Sequence, residues 1–120
     1  MADKPVVVAI GTGGTISSLG RDSTDVLDYP DFGRKMDVAE AVGRYPEVVA
    51  AAELVLVPFR SVGSTAIGPA EWLELAALIH RLAAERPEAA GFIVTHGTAT
   101  LEETAYFLNL VLKTDKTVVL

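Results

Sequence analysis

Two short segments of the sequence present hydroxyl groups on glycine-rich turns: Gly11-Thr12-Gly13-Gly14-Thr15 and Thr95-His96-Gly97-Thr98-Ala99-Thr100. Glycines allow a tight turn and a close backbone approach to a ligand. The first segment lacks the lysine of a phosphate-binding loop, and Ile16 stands where a dinucleotide turn needs a third Gly or Ala. What remains is a threonine hydroxyl held on a turn. Such a hydroxyl is a weak nucleophile. It needs a group to take its proton and donors for the oxyanion that develops. The chemistry in view is hydrolysis of an amide. The bland alternative is a glycine turn that binds nothing.

The candidate helpers are few. Of the two histidines, His96 sits at a strand end, where its ring is expected to bond backbone, and His80 flanks the apolar face of a helix. Hydroxyls are the better candidates. Thr98 and Thr100 precede a helix start, where free N–H groups and the dipole favour negative charge. Thr100 has a structural reading as the helix cap. Thr98 has none, and is read as functional. Tyr29 lies in the long loop after the first turn, and a loop over a site can carry a catalytic hydroxyl.

These groups must be positioned by the elements around them. Val6–Gly11 reads as a buried strand, 12–36 mostly as loop, and Asp37-Val38-Ala39-Glu40 as a capping box opening a helix to about Arg44. Leu54–Pro58 is a second strand. Gly68-Pro69 opens a helix that Pro87 ends, with Trp72, Leu75, Ala76, Ile79, Leu82 and Ala83 on one apolar face. Gly91–Thr95 is a third strand. Thr100 and Glu103 read as a capping box for a helix to about Lys113, and Thr117–Leu120 as a fourth strand. Strands separated by helices predict a layered α/β domain with a mostly parallel sheet. Ligands then bind beyond the carboxyl ends of the strands. Segments 11–15, 61–67 and 95–100 lie there, and all are rich in Gly, Ser and Thr.

Composition narrows the function. The chain has 120 residues, half of them apolar, which is enough for one domain with a core and unlike a disordered chain. Its net charge of −6 argues against a nucleic-acid partner. Without cysteine it has no disulfide, thiol nucleophile or thiolate metal site, and no histidine–carboxylate metal cluster is visible. The run Val6–Ile10 is too short to span a membrane and lacks the flanks of a signal peptide. The expectation is a soluble, cytoplasmic protein without a membrane partner. Because the chain stops at an apolar strand, it is expected to be a fragment.

The two turns together resemble the bacterial-type L-asparaginases and glutaminase-asparaginases. Ile10-Gly11-Thr12-Gly13-Gly14-Thr15-Ile16 is similar to that family's Thr-Gly-Gly-Thr-Ile strand end. Thr95-His96-Gly97-Thr98-Ala99-Thr100-Leu101-Glu102-Glu103-Thr104-Ala105 is similar to its Thr-His-Gly-Thr-Asp-Thr and Glu-Glu-Thr-Ala helix start. The resemblance covers essentially all 120 residues, which would be the first third or so of a family member. It implies a truncated flavodoxin-like three-layer domain, 1–120, with a smaller C-terminal domain absent. It implies hydrolysis of the side-chain amide of asparagine, or glutamine, through an acyl-threonine, with no metal or organic cofactor. Thr15 would be the nucleophile, Tyr29 its assisting hydroxyl, and Thr98 the second catalytic threonine, acting with a lysine beyond residue 120. Ser64 and Thr65 would hold the substrate carboxylate, although Gln is common at the Thr65 position. Family members are usually tetramers built as dimers of dimers, so the 120 residues alone would be inactive.

Three positions depart from the pattern. Ala66 stands where Asp is common, and Ile67 where Met is. Ala99 replaces the Asp that pairs with the substrate's α-ammonium. Losing a charge-assisted hydrogen bond costs about 1.5–3 kcal/mol, or roughly ten- to a hundredfold in recognition. The amide-hydrolysis reading survives this change, but asparagine as the substrate weakens. A non-catalytic domain binding a small amino acid or anion is the competing reading.

Overall fold

The structure is a computed structural model describing residues 3–120, apart from the side chain of Phe32. Its centre is the apolar run after Pro5. Strand β1 spans Val6–Gly13 and is flanked on both sides by parallel strands, so Val8, Ala9 and Ile10 are all buried. A continuous apolar run, rather than an alternating one, is what a strand covered on both faces requires. The main sheet has the order β4-β1-β5-β6, with β4 at Glu53–Val62, β5 at Ala89–Thr95 and β6 at Thr117–Val119. All three pairings are parallel. Counted along the main sheet alone, the strand order is 2-1-3-4, as in a flavodoxin-like doubly wound domain.

The two faces of the sheet are covered differently. Helix α4, Pro69–Glu85, buries Leu75, Ala76, Ile79 and Leu82 against Val8, Ile10, Phe92 and Val94. Helix α5, Leu101–Val111, adds Leu108 to the same cluster. Each such side chain contributes about 1.5–3 kcal/mol through burial. The apolar spacing read from the sequence therefore faces the core as expected. Glu71 helps start α4: its carboxylate accepts the Gly68 N–H at 3.0 Å, which holds its pKa below the usual carboxylate range.

The opposite face carries shorter elements. Helix α2, Val38–Gly43, packs on β1 and β4, and Val38 lies directly over Gly11, where a side chain would collide. Asp37 caps it, accepting the Glu40 N–H at 2.8 Å. The Glu40 side chain does not close the expected box. It forms a two-pronged pair with Arg34 at 2.5 and 2.6 Å instead. Helix α3, Pro46–Ala51, was not legible in the sequence, because it has six residues and no buried face.

Region 12–36 is less irregular than expected. A single 3₁₀ turn, Thr15–Ser17, leads into a two-stranded antiparallel ribbon of β2, Ser18–Leu19, and β3, Arg34–Lys35. Between them lies the one-turn helix α1, Tyr29–Phe32. These pieces are too short for periodicity to register. Strand β4 also runs past the expected Pro58 to Val62, with its register against β1 shifting between Gly11 and Gly13. Pro58 is tolerated because β4 is an edge strand. Among the described residues no helix is long and apolar enough to cross a membrane.

Candidate functional site

The carboxyl ends of β1, β4 and β5 converge as the sequence predicted, and backbone contact holds them together. Gly13 and Gly14 have φ of 104° and 81°. Gly14 combines this with ψ of −178°, a region essentially restricted to glycine. The Gly14 N–H donates to the Val62 carbonyl at 2.7 Å, tying the β1 turn to the end of β4. A Cβ on Gly14 would collide with the backbone of Gly97. A Cβ on Gly97 would lie 2.8 Å from Ser64 Cβ and 2.9 Å from Gly14 Cα. The three turns interlock because side chains are absent where they meet.

The threonines on these turns divide into anchors and free hydroxyls. Thr12 is buried and donates to the Thr95 carbonyl at 2.7 Å, joining β1 to β5. Thr100 donates to the Ser64 carbonyl at 2.7 Å. This corrects its reading as a side-chain cap, since no cap bond forms at the start of α5. Its hydroxyl is held in the Ser64 turn and is therefore turned away from the helix N–H groups. Thr15 and Thr98 are exposed, and neither side chain has a hydrogen-bond partner among the described residues. Thr15 follows Gly14 and Thr98 follows Gly97, so the two free hydroxyls are carried by the two turns whose glycines touch.

Ser64 is buried at the start of a 3₁₀ turn, Ser64–Ala66, on which Thr65 and Ala66 are exposed. Ala99 is exposed beside Thr98 and supplies no charge. Ile67 is buried and anchors this turn in the interior. Tyr29 is half-buried at the first position of α1, on the ribbon that follows Thr15. Among the described residues, no side-chain hydrogen bond links Tyr29 to either free threonine.

Both histidines have structural partners, in line with their sequence reading. His96 Nδ1 lies 2.7 Å from the Gly97 carbonyl, and His80 Nε2 accepts the Lys113 N–H at 2.9 Å beyond the end of α5. Sequence reasoning missed Trp72 and Thr104 as polar partners of this region. The indole N–H of Trp72 donates to Thr104 Oγ1 at 2.8 Å, while the indole ring stacks on Phe107. Trp72 was read only as part of an apolar face, and nothing local in the sequence shows where its N–H points.

This geometry can be set beside known proteins. The family described as Asparaginase, N-terminal, matches residues 6–120. The chain belongs to the asparaginase family. A glutaminase-asparaginase of Acinetobacter glutaminasificans is 40% identical over 114 residues, covering 95% of this chain and 34% of the relative. L-asparaginase 2 of Bacillus subtilis is 39% identical over 118 residues, covering 98% of this chain and 31% of the relative. The crystal structure of a probable cytoplasmic L-asparaginase from Campylobacter jejuni superposes with a TM-score of 0.87 at 33% identity, over 97% of this chain and 35% of that one. The chain thus spans about a third of the length of the asparaginases it matches. The likeness extends over nearly the whole chain, and the α/β fold with a parallel sheet expected from the resemblance is the fold observed.

Proposed function

We propose that residues 1–120 form the nucleophile-bearing half of an amidohydrolase that cleaves the side-chain amide of asparagine, or of glutamine or a related small amide, to the acid and ammonia. The observation that carries this reading is the pairing of Thr15 and Thr98. They are free, exposed hydroxyls on turns locked to each other at Gly14 and Gly97. The names of the relatives, glutaminase-asparaginase and L-asparaginase, agree with the reaction class.

The chemistry runs in two halves. The Thr15 hydroxyl attacks the amide carbon as its proton passes to the lysine supplied by the rest of the protein. That proton is handed to the amide nitrogen as the tetrahedral intermediate collapses, so ammonia leaves and an acyl ester remains on Thr15. Water then adds to the ester, with Thr98 orienting it, and the acid is released. Tyr29, on the segment after Thr15, supplies the hydroxyl that assists the first half. Ser64 and Thr65 face the substrate carboxylate. No metal or organic cofactor is required. The remaining groups, a lysine among them, come from the rest of the protein and from a partner subunit in a dimer of dimers. The 120 residues alone therefore turn over no asparagine.

Ala99 favours a second reading. Without a carboxylate at this position the site loses a counter-charge for an α-ammonium, as a domain that merely binds a small anion would. Mass spectrometry of the full-length protein trapped with an amide-substrate analogue decides between them. Acylation of Thr15, abolished in Thr15→Ala, is the expected result. Tight binding with no covalent adduct and no ammonia release would establish the binding domain. Substrate comparison then tests the effect of Ala99. Turnover of deaminated asparagine analogues is expected within about tenfold of asparagine, since one charge-assisted bond is missing.

A further inference from the structure

Beneath the Gly97 turn lies a buried polar chain that the proposed chemistry leaves unused. His96 is 6% exposed and Thr104 is fully buried. The Trp72 N–H donates to Thr104 Oγ1 at 2.8 Å, Thr104 Oγ1 lies 2.9 Å from His96 Nε2, and His96 Nδ1 lies 2.7 Å from the Gly97 carbonyl. A carbonyl oxygen only accepts, so Nδ1 carries the proton. Each carboxylate in an ion pair among the described residues is matched to an arginine elsewhere, and none pairs with this ring. A buried imidazolium without a counter-charge is unfavourable, so Nε2 is left as an acceptor and the Thr104 hydroxyl donates to it. The longer alternative for that hydroxyl, the Thr100 carbonyl at 3.2 Å, is then not used. The chain runs one way, from Trp72 through Thr104 and His96 to Gly97.

The last link matters because of what shares its peptide plane. The Gly97 carbonyl and the Thr98 N–H belong to one planar trans unit, so holding the oxygen also sets the direction in which the chain enters Thr98. Gly97 has no room for compensating movement, with Ser64 and Gly14 both against it. Thr104 lies on α5 and Trp72 on α4. The two long helices thereby reach the turn through a single imidazole.

We infer that Trp72, Thr104 and His96 form a positioning relay, in which a neutral imidazole holds the Gly97–Thr98 peptide and so keeps the Thr98 hydroxyl aligned with Thr15. His96 acts through Gly97 and transfers no proton in the reaction. This rests on the amidohydrolase reading given above, and concerns the same site.

The test uses the full-length protein with His96→Leu, His96→Asn and Trp72→Phe. Leucine fills space without bonding Gly97. Asparagine places an amide N–H near the Nδ1 position and restores the bond. Phenylalanine keeps an aromatic ring beside Phe107 and removes the indole N–H together with part of the ring. Misplacement of a reacting group by about 1 Å can cost on the order of a hundredfold in rate. For a partial loosening, kcat is expected to fall roughly thirtyfold in His96→Leu and about threefold in Trp72→Phe, with KM within about threefold in each, and His96→Asn to recover most of the loss. Equal loss in the leucine and asparagine variants would overturn the relay.

A second readout does not depend on turnover. Nitrogen-proton correlation spectra of the imidazole, assigned by comparison with His96→Asn, should show the Nδ1–H tautomer at neutral pH. A cationic ring or an Nε2–H tautomer would refute the relay. Should His96→Leu fail to fold, the asparagine and phenylalanine variants and the tautomer still decide it. Should the wild-type protein release no ammonia from any amide, the function fails separately, and the relay is judged by the tautomer and by whether the Thr98 amide resonance moves in His96→Leu and returns in His96→Asn.

Discussion

The interlocked turns and the ribbon that follows them differ in what holds them. At Gly14 and Gly97 backbone meets backbone, and the Ser64 side chain packs closely against Gly97. Between Gly20 and Lys35 a two-residue ladder and the close approach of Gly33 to the Leu19 carbonyl are supplemented by side chains: Arg21 with Asp25 at 3.0 Å, Asp22 with the Thr24 hydroxyl at 2.6 Å and N–H at 2.8 Å, and Lys35 with the Pro30 carbonyl at 2.7 Å. Water screens side-chain pairs at the surface, so they hold a segment only weakly. Val26 and Leu27 are also exposed here at 69% and 85%. The first region carries Thr15, the proposed nucleophile, and the second carries Tyr29, the hydroxyl proposed to assist it. The proposed site thus joins a fixed half to a more loosely held, adjustable half, and the two should respond to perturbation in different ways.

Filling the space between the fixed turns should have the largest effect. In Gly14→Ala the strained φ and the collision with Gly97 act together, each worth about 1–3 kcal/mol. A loss of several kcal/mol is expected, read as a large drop in thermal midpoint, with activity abolished. Retention of wild-type stability would show that the turns do not interlock. In the adjustable half, Tyr29→Phe removes a hydroxyl but little packing. Turnover by the full-length protein should fall by roughly a hundredfold, the scale of proton-transfer assistance, with the midpoint nearly unchanged. A parallel loss of stability would assign Tyr29 to packing rather than to chemistry.

Thr100→Val sharpens the comparison on a smaller scale. It deletes the bond to the Ser64 carbonyl without changing shape. About 1 kcal/mol or somewhat more should be lost in denaturant unfolding, since a half-buried acceptor loses its partner. An unchanged midpoint would restore Thr100 to a dispensable position.

Acid gives the mildest separation of the two halves. Asp22 is held below the usual carboxylate range by the Thr24 hydroxyl and N–H, Asp25 by the Arg21 N–H and guanidinium, and Glu40 by the Arg34 guanidinium. A depressed folded-state pKa contributes stability that is present above the unfolded value, about 4, and is lost as pH falls through the lower folded value. Lowering the pH from about 5 to about 3 should therefore loosen the ribbon first. The contacts locking the turns contain no carboxylate. Amide exchange at Thr24 and Asp25 should rise relative to exchange at Gly14. Equal acceleration at both would mean that the halves are not independent.

Much of this architecture is readable from the chain. The apolar run at Val6–Ile10, the helical spacing from Trp72 to Ala83 and the glycines of both turns are local signals, and each appears where its pattern placed it. Convergence of segments 11–15, 61–67 and 95–100 follows from strand parity and parallel connection alone. The sequence also determined the likeness to asparaginases and the departure at Ala99, because residue identity at a turn is visible without coordinates.

What the tertiary structure decided is which hydroxyls are free. The sequence singled out Thr15 and Thr98 by resemblance and set Thr100 apart as a cap, but it showed no hydrogen-bond partner for any threonine. Thr12 is consumed by Thr95 and Thr100 by Ser64, while Thr15 and Thr98 remain open. Those partners lie 83 and 36 residues away along the chain. Direction at a strand end is set by register with neighbouring strands and by helices packed from elsewhere. No window of sequence around a threonine contains that information.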